Sequence, residues 1–501
     1  MATTRLNPAA PLAAIDMGSN SFRLEVAQVQ HGRYRRLAYL KETVRLGAGL
    51  DANGMLTEQA QQRGLDCLAR FSQRLAGFDT RQVRAVATQT LREAKNRNAF
   101  LERAQPVLGH PIEVITGREE ARLIFAGVAF LQPSNTPRMV VDIGGRSTEM
   151  ILGRARTPHR AESFQVGSVS LSLRWFGDGR FTPQAFRDAQ VAAGAELEEA
   201  LAPFAPAHWK ESLGSSGTVG AVSDILLASG VTDGRITPEA LRWLIEQCLA
   251  AGHIDRVQLP GLRDDRRAVI GGGLSILYTL ATHFGIQSLQ PAKGALRQGV
   301  IVELHERLQA LGQPGGRDLR DATVATLQRR FDVDRAQAAR VAAVAETLYR
   351  GALPDAAPER LHELQWACAL HEIGLMVSHH DHHRHSAYLM GHADAAGFSQ
   401  SQQRRLAELL LAQRGGLRKV EESLADEDFA WQALALRLAV IKCHARGEVD
   451  ANSLALAARG MQARLLFDSD WAASHPRTLH LLREEAQAWQ RQGTLGLVLA
   501  S

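Results

Sequence analysis

Two short stretches that share one pattern constrain the fold of this chain more than any other feature. Residues 15–23 read IDMGSNSFR and residues 141–149 read VDIGGRSTE. In each stretch an apolar run ends at an aspartate, a turn of small residues follows, and a second apolar run begins. The pattern predicts a β-hairpin whose turn lets backbone N–H groups and hydroxyls approach a phosphate, with the aspartate (Asp16 or Asp142) facing the same point.

The repetition carries more information than either copy, because a single turn of this kind is common in proteins. Two copies in similar contexts predict two related halves whose phosphate turns face each other across a cleft, as in actin-like phosphotransferases and phosphatases. Around the first copy, strands predicted at residues 12–16, 22–29 and 34–40 are followed by alternating helices and strands. We therefore expect an α/β fold with two actin-like (RNase H-like) mixed-sheet domains and a cleft between them.

Proline- and glycine-rich stretches divide the chain further. Residues 131–137 and 311–316 have the composition of linkers. After the second linker the pattern is almost wholly helical to about residue 444, and two short strands around a helix are predicted near the end. We expect two actin-like domains, an HD-like helical domain and a small appendage, at residues 11–132, 138–310, 317–450 and 451–501.

Composition excludes several classes of protein. The chain carries 58 Lys and Arg against 53 Asp and Glu, a net charge of +5, and no basic run marks a nucleic-acid-binding patch. This balance suits a few arginines that converge on a small polyanionic substrate. The four cysteines are scattered singly, and neither a signal peptide nor a membrane-spanning length is visible. We expect a cytoplasmic protein that binds neither nucleic acid nor membrane.

The helix predicted after residue 116 contributes a candidate base. Thr116 and Glu119 fit a helix capping box, which accounts for Glu119 structurally. Glu120 has no such role and lies in the first helical turn, where the helix dipole is expected to keep it ionised. A carboxylate there can accept a proton from water, while the alternative is a solvated glutamate at a helix start.

Two further features have both a functional and a plain structural interpretation. The polar loop at residues 214–218 enters a predicted helix whose N–H groups favour an anion, or it is only a turn. His371, Glu372 and the histidines of residues 379–385 suggest a metal, but a local tract lacks the spacing that metal ligands need. We favour a polar interdomain loop for this histidine tract.

Together these motifs resemble the exopolyphosphatase and guanosine pentaphosphate phosphohydrolase family of the actin-like superfamily. The resemblance covers nearly the whole chain and rests on residues 16–23, 90–92, 117–123, 142–145, 147–149, 214–218 and 294–299. Residues 371–374 and 383–388 are similar to the longer members of the family, which carry an HD-like helical domain.

The resemblance implies roles for individual residues. Glu120 corresponds to the general base that activates water, and Glu149 is assigned both to catalysis and, with Asp142, to a Mg²⁺ site. Phosphate-binding residues are expected in and around the first phosphate turn: Asp16, Gly18, Ser19, Asn20, Ser21, Arg23 and Arg92. Further phosphate-binding residues are expected in the second turn and in the polar loop: Gly144, Gly145, Arg146, Ser147, Thr148, Ser216, Gly217 and Thr218. The family also implies a homodimer.

Two positions depart from the family pattern. Arg146 stands in the second phosphate turn where glycine is frequent, so it either donates to a phosphate oxygen or crowds the site. Lys293 replaces what is commonly an acidic residue and adds positive potential for a polyanion. The usual geometry of the second turn is therefore in question.

The favoured function is that of an exopolyphosphatase, which releases orthophosphate from the end of inorganic polyphosphate with Mg²⁺ support. The alternative is hydrolysis of guanosine pentaphosphate (pppGpp), which the same site could perform. More distant alternatives are an actin-like kinase or ATPase, and a non-catalytic polyphosphate sensor in which Arg146 has abolished turnover.

Overall fold

A computed structural model describes residues 10–312 and 318–500. The chain divides into two compact units between residues 316 and 317. Most of the linker predicted at residues 311–316 lies outside the described residues. Both aspartate hairpins belong to the first unit.

The first half of the first unit is built on a five-stranded sheet in the order β3-β2-β1-β4-β5. Its strands are β1 (Leu12–Met17), β2 (Phe22–Gln30), β3 (Arg33–Glu42), β4 (Val83–Ala87) and β5 (Ile112–Val114). Its helices are α1 (Glu58–Arg74), α2 (Gln89–Glu93), α3 (Arg97–Leu108) and α4 (Gly117–Leu131).

The second half carries another five-stranded sheet, in the order β10-β9-β6-β7-β8. Its strands are β6 (Arg138–Ile143), β7 (Thr148–Arg154), β8 (Thr157–Phe164), β9 (Glu211–Ser215) and β10 (Leu289–Pro291). Its helices are α5 (Ser168–Trp175), α6 (Pro183–Leu197), α7 (Gly217–Ala228), α8 (Pro238–Ala251), α9 (Asp264–Arg267), α10 (Ile270–His283) and α11 (Leu296–Gly312).

The two sheets have the same topology, which confirms the prediction of two related halves. In each half a central strand, β1 or β6, pairs antiparallel with the second strand of its hairpin, β2 or β7. The same central strand pairs on its other side with a parallel strand, β4 or β9. A third antiparallel strand, β3 or β8, completes one edge of each sheet. The aspartates at the ends of β1 and β6 therefore occupy equivalent positions.

Alternation along β1 explains how the halves join. Ala13 and Ile15 face a core within the first half, whereas Leu12 and Ala14 face a central core that both halves share. Helices α4 and α11 contribute Ile124 and many other apolar side chains to this central core. The two helices cross at backbone contact, because a Cβ on Gly299 of α11 would lie 1.8 Å from the carbonyl oxygen of Leu123 in α4.

We expect Gly299→Ala to lower the free energy of unfolding of the first unit by about 1–3 kcal/mol or more, because the added methyl group forces α4 and α11 apart. Gly220 on α7 is the matched control, since a Cβ there meets no atom within 4 Å. Gly220→Ala should raise stability by about 0.5–1 kcal/mol, because alanine favours the helix. Urea unfolding of the two variants measures both effects, and a Gly299→Ala protein as stable as the wild type would contradict the close crossing.

The second unit is mainly helical, as predicted. Its helices are α12 (Leu319–Arg330), α13 (Arg335–Ala352), α14 (Pro358–Leu370), α15 (His382–His392), α16 (Gln400–Ala412), α17 (Glu427–Lys442), α18 (Ser469–Ser474) and α19 (Pro476–Gln492). A three-stranded sheet contains β11 (Leu454–Arg459), β12 (Gln462–Phe467) and β13 (Gly496–Ala500). Leu456 and Leu497 of this sheet pack in the same core as Trp431 of α17, so the strands complete the helical core.

Two local expectations differ from the structure. The single helix expected over residues 91–108 is two helices, α2 and α3, because Asn96 pairs through its side chain with both backbone groups of Leu56 and breaks the run. The histidine tract is not simply a polar loop, since His382 and His383 are buried at the start of α15. Within the described residues, no helix combines the length and the apolar character that crossing a membrane requires.

Candidate active site

The two aspartate hairpins line one cavity of about 410 Å³ in the first unit. Asp16 at the end of β1 and Asp142 in β6 lie in its wall, as does Glu120 from the first turn of α4. Residues of both turns line the same cavity: Gly18, Ser19, Asn20, Ser21, Gly144, Gly145 and Ser147. The three carboxylates singled out in the sequence therefore lie around one space.

Hydrogen bonds behind the turns fix the direction of their peptide groups. The carbonyl of Ser19 accepts from the Gly47 N–H at 2.8 Å, and that of Gly145 accepts from the Val169 N–H at 2.8 Å. A trans peptide holds its C=O and the following N–H on opposite sides. The N–H groups of Asn20 and Arg146, which follow these carbonyls, thus point away from Gly47 and Val169. Asn20 lines the cavity, where a free N–H suits an anion.

Both turns leave little room for a side chain at the same position, which glycine occupies in each. A Cβ on Gly18 would lie 3.1 Å from the carbonyl oxygen of Ser21, and a Cβ on Gly144 would lie 3.1 Å from that of Ser147. The turns also approach each other, because a Cβ on Gly145 would lie 3.2 Å from that of Ser19. Ser21 Oγ is buried and has no hydrogen-bond partner among the described residues, which leaves it available to a ligand.

Glu120 is held at the cavity by the cap of its helix and by an arginine. Thr116 caps α4 by accepting the Glu119 N–H at 3.2 Å, and the Glu119 carboxylate pairs with Arg122. Arg92 Nη1 donates to Glu120 Oε2 at 2.7 Å. The expectation that the helix dipole keeps Glu120 ionised is not supported. Burial, with the charges of Asp16 and Asp142, outweighs Arg92 and raises the pKa of Glu120 to about 7.

Burial and neighbouring negative charges also raise the pKa values of Asp142 and Glu149. Burial raises the pKa of Asp142 to about 6, and the negative charge of Asp16 adds to this shift, while Ser215 and Arg23 oppose it. Burial, followed by the charges of Glu120 and Asp142, raises the pKa of Glu149 well above its ordinary value. Burial, with a smaller contribution from neighbouring negative charges, is thus the reason that both carboxyl groups hold their protons more tightly.

A group of buried carboxylates beside two turns of small residues fits a divalent cation together with a phosphate ligand. Across residues 10–312 and 318–500, no group of three His, Cys, Asp or Glu side chains is arranged to hold a metal ion. The histidine tract therefore contains no such group among its described residues. Mg²⁺ needs fewer protein ligands, because it usually takes one or two carboxylates and completes its shell with water and substrate phosphates. Asp16 and Asp142, equivalent and facing one cavity, suit that role chemically.

The polar loop before α7 also borders the cavity through Ser216, Gly217 and Thr218. Ser216 has a positive φ of 107°, and its hydroxyl accepts the N–H groups of Thr218 and Val219 as the helix cap. Thr218 Oγ1 donates to the carbonyl of Ile143 at 3.0 Å and ties the loop to β6. The loop is therefore both a helix cap and part of the cavity wall.

Four predicted site residues do not line the cavity. Glu149 is buried next to it, opposite Asp142 in the β6–β7 pair, and accepts a hydrogen bond from Ser163 at 2.8 Å. Thr148 donates to the carbonyl of Val166 at 2.6 Å. Arg92 contacts Glu120, and Arg146 pairs with Glu93. Their predicted roles in binding phosphate or metal stay predictions.

The cavity also contains basic residues that the sequence analysis did not assign to the site. They come from β3, from the α9 region and from the start of α11: Arg36, Lys41, Arg263, Arg266 and Arg297. Arg23 and Lys293, both noted in the sequence, join them. Arg266 packs over Gly217, where any Cβ would lie 2.1 Å from its Nη2 atom. The cavity is therefore acidic at the carboxylates and basic elsewhere.

Comparison with known protein families gives a match in each of the two units of the chain. The model of the Ppx/GppA phosphatase family matches residues 25–308. The model of Ppx/GppA phosphatase domain III matches residues 319–486. These matches confirm the resemblance inferred from the sequence motifs.

Individual relatives agree with the family models. A guanosine-5'-triphosphate,3'-diphosphate pyrophosphatase of Vibrio cholerae serotype O1 is 36% identical over 493 residues, which is 97% of each chain. The structure of the Aquifex aeolicus PPX-GPPA enzyme has 25% identity and a TM-score of 0.50, covering 58% of this chain and 98% of that one. An exopolyphosphatase from Cytophaga hutchinsonii has 23% identity and a TM-score of 0.54, with coverages of 62% and 100%. The latter likeness shows the fold alone.

Proposed function

Because the chain belongs to the Ppx/GppA phosphatase family, we propose that it hydrolyses the terminal 5′ phosphoanhydride of guanosine 5′-triphosphate 3′-diphosphate. The convergence of Asp16, Asp142 and Glu120 on one cavity between two phosphate turns supports phosphoanhydride hydrolysis. From the sequence alone, polyphosphate was the favoured substrate. The relative that is 36% identical along 97% of both chains favours the guanosine nucleotide instead.

In the proposed reaction the terminal phosphate lies between the two turns. Glu120 accepts a proton from a water molecule, whose oxygen attacks the terminal phosphorus. The bond between that phosphorus and the bridging oxygen breaks, and the products are orthophosphate and guanosine 3′,5′-bisdiphosphate. The N–H donors of the turns stabilise the charge on the non-bridging oxygens.

A divalent cation such as Mg²⁺ would supply charge compensation for the phosphate oxygens. Asp142 and Asp16 would hold it, with Glu149 behind Asp142 as a further carboxylate. The exposed cations Arg36, Arg263 and Lys293 add positive potential for the remaining phosphates of a highly charged substrate.

Long-chain polyphosphate remains a second candidate substrate, because the cavity offers little to a nucleobase. Tyr39 is the one aromatic side chain among the described residues that line it. The guanidinium groups of Arg36 and Arg297 lie 5.6 Å and 5.2 Å from the centre of its ring. A wall of this kind recognises phosphate charge more readily than a base.

Phosphate release from the two substrates, measured side by side with Mg²⁺, tests the proposal. We expect a kcat/KM at least about tenfold higher for guanosine 5′-triphosphate 3′-diphosphate, the usual scale of one well-placed charged contact. GTP, which lacks the 3′-diphosphate, is the control that isolates this group. A higher kcat/KM for polyphosphate would reverse the choice of substrate, and no release from either would overturn phosphoanhydride hydrolysis itself.

A further inference from the structure

The five-residue helix α2 contacts both phosphate turns and the candidate base. Thr90 Oγ1 donates to Ser19 Oγ of the first turn at 2.8 Å. Arg92 Nη1 donates to Glu120 Oε2 at 2.7 Å. Glu93 accepts from Arg146 of the second turn. A single turn of helix therefore connects the parts that the proposed reaction needs.

Arg146 is held by two partners in the first half of the unit. Its Nη2 and Nε atoms lie 2.6 Å and 2.9 Å from Glu93 Oε2, and its Nη1 donates to the carbonyl of Gly47 at 3.3 Å. Gly47 in turn donates its N–H to the carbonyl of Ser19. The side chain thus extends from the second turn to α2 and to the segment that supports the first turn.

An unbroken series of polar contacts leads from Arg146 to Glu120. Glu93 Oε1 accepts from Gln89 Nε2 at 2.6 Å. Gln89 Oε1 accepts from Arg92 Nε at 2.9 Å and from Arg92 Nη2 at 2.6 Å. Arg92 then holds Glu120, and each link between Arg146 and Glu120 is a contact of 2.9 Å or less.

We propose that Arg146 is a positioning residue that aligns Glu120 through Glu93, Gln89 and Arg92. The inference rests on the proposed function and adds to it a residue that acts on the base without contacting it. It also gives Arg146 a role other than the two that the sequence suggested, because its side chain pairs with Glu93 and does not line the cavity.

The hydrogen-bonding chemistry of these contacts explains how a change at Arg146 alters the position of Glu120. Only one orientation of the Gln89 amide gives a donor to Glu93 and an acceptor to Arg92. Without Arg146, the Glu93 carboxylate loses its cation and competes for the guanidinium of Arg92. Arg92 is then drawn away from Glu120, and a base displaced by even about 1 Å loses rate steeply.

Arg146→Ala is expected to lower kcat by about 10- to 100-fold, the scale of a small misplacement of a catalytic group, with little change in KM. Arg146→Lys keeps the charge and should recover part of the loss. Arg118→Ala is the matched control, because it removes another ion pair between the halves, with Glu162 on β8, and leaves the series intact. A direct contact between Arg146 and a phosphate would instead raise KM, and that result would overturn the proposal.

The Glu120→Gln background separates positioning from a general structural effect. If Arg146 acts through Glu120, adding Arg146→Ala to Glu120→Gln causes no further loss of kcat. Losses that multiply in the double variant would show that Arg146 acts independently of the base, and would overturn the proposal.

A measurement without turnover distinguishes failure of this inference from failure of the proposed function. Amide hydrogen exchange over α2 should rise in Arg146→Ala and stay at the wild-type level in Arg118→Ala. Unchanged exchange in Arg146→Ala would overturn the series of contacts whether or not the wild type hydrolyses either substrate. A wild-type protein without activity would overturn the proposed function alone.

Discussion

Replacing Glu120 with glutamine is expected to lower kcat for terminal phosphate release by about two or more orders of magnitude, the usual scale for loss of a general base. Glutamine keeps the shape of the side chain and an oxygen for Arg92, so the cavity should stay intact. It cannot accept a proton from water at neutral pH. The loss should therefore fall on kcat, with KM near that of the wild type.

Steady-state phosphate release with Mg²⁺ measures the effect. Glu119→Gln is the matched control, because it changes the adjacent carboxylate of the same helical turn, which pairs with Arg122 and not with Arg92. We expect Glu119→Gln to keep most of its turnover. Near-normal turnover by Glu120→Gln would refute the assignment of the base, and a large loss in Glu119→Gln would point to a general disturbance of α4.

The twin hairpins were predictable from the sequence because their signal is local. An apolar strand that ends at an aspartate, followed by a turn of small residues, has one physical interpretation when it occurs twice. The structure places Asp16 and Asp142 at equivalent ends of equivalent strands. The position of Glu120 beside them also followed, since its helix start lies between the two hairpins in the chain.

The ionisation of Glu120 could not be predicted in the same way. A helix start favours a charged carboxylate, and that effect depends only on neighbouring residues. Burial and the charges of Asp16 and Asp142 depend on the folded structure, and these outweigh the local effect. The local sequence therefore does not give the direction in which the pKa of Glu120 shifts, because that direction depends on burial and on residues distant in the chain.

The partners of Arg146 and the basic wall of the cavity were missed for a related reason. Arg146 and Glu93 are 53 positions apart, and nothing in either local pattern indicates that they meet. Arg36 and Arg266 come from charged stretches, which usually form solvated faces. Only the folding of distant segments around one cavity distinguishes these residues from ordinary surface arginines.

A buried cluster of charges behind the site should carry a large part of the stability of the first unit. Glu303 on α11 accepts from Arg84 on β4 at 2.8 Å, from Arg307 at 2.5 Å, and from Arg122 on α4. Arg84 and Glu303 are almost fully buried. The cluster joins α4 and α11 to the first sheet, and Arg122 lies on α4, the helix that presents Glu120.

Glu303→Gln is expected to lower the free energy of unfolding of the first unit by about 3–5 kcal/mol, because it leaves buried arginines without their shared carboxylate. Glu306→Gln is the matched control on the same helix, since Glu306 pairs with Arg156 where both side chains are about half exposed. Such a surface pair contributes at most about 1 kcal/mol. Urea unfolding followed at neutral pH should separate the two variants clearly.

The dependence on pH provides a second test with a defined sign. Burial alone would raise the pKa of Glu303, but Arg122, Arg307 and Arg84 outweigh it and hold the pKa well below its ordinary value of 4.5. A carboxyl with a lowered pKa in the folded state stabilises the protein fully above its unfolded pKa, and this contribution declines as the pH falls below that value. The stability difference between wild type and Glu303→Gln should therefore be constant above about pH 5 and shrink in more acid solution. A difference that stayed unchanged in acid would mean that the carboxylate charge of Glu303 is not what holds the central helices to the sheet.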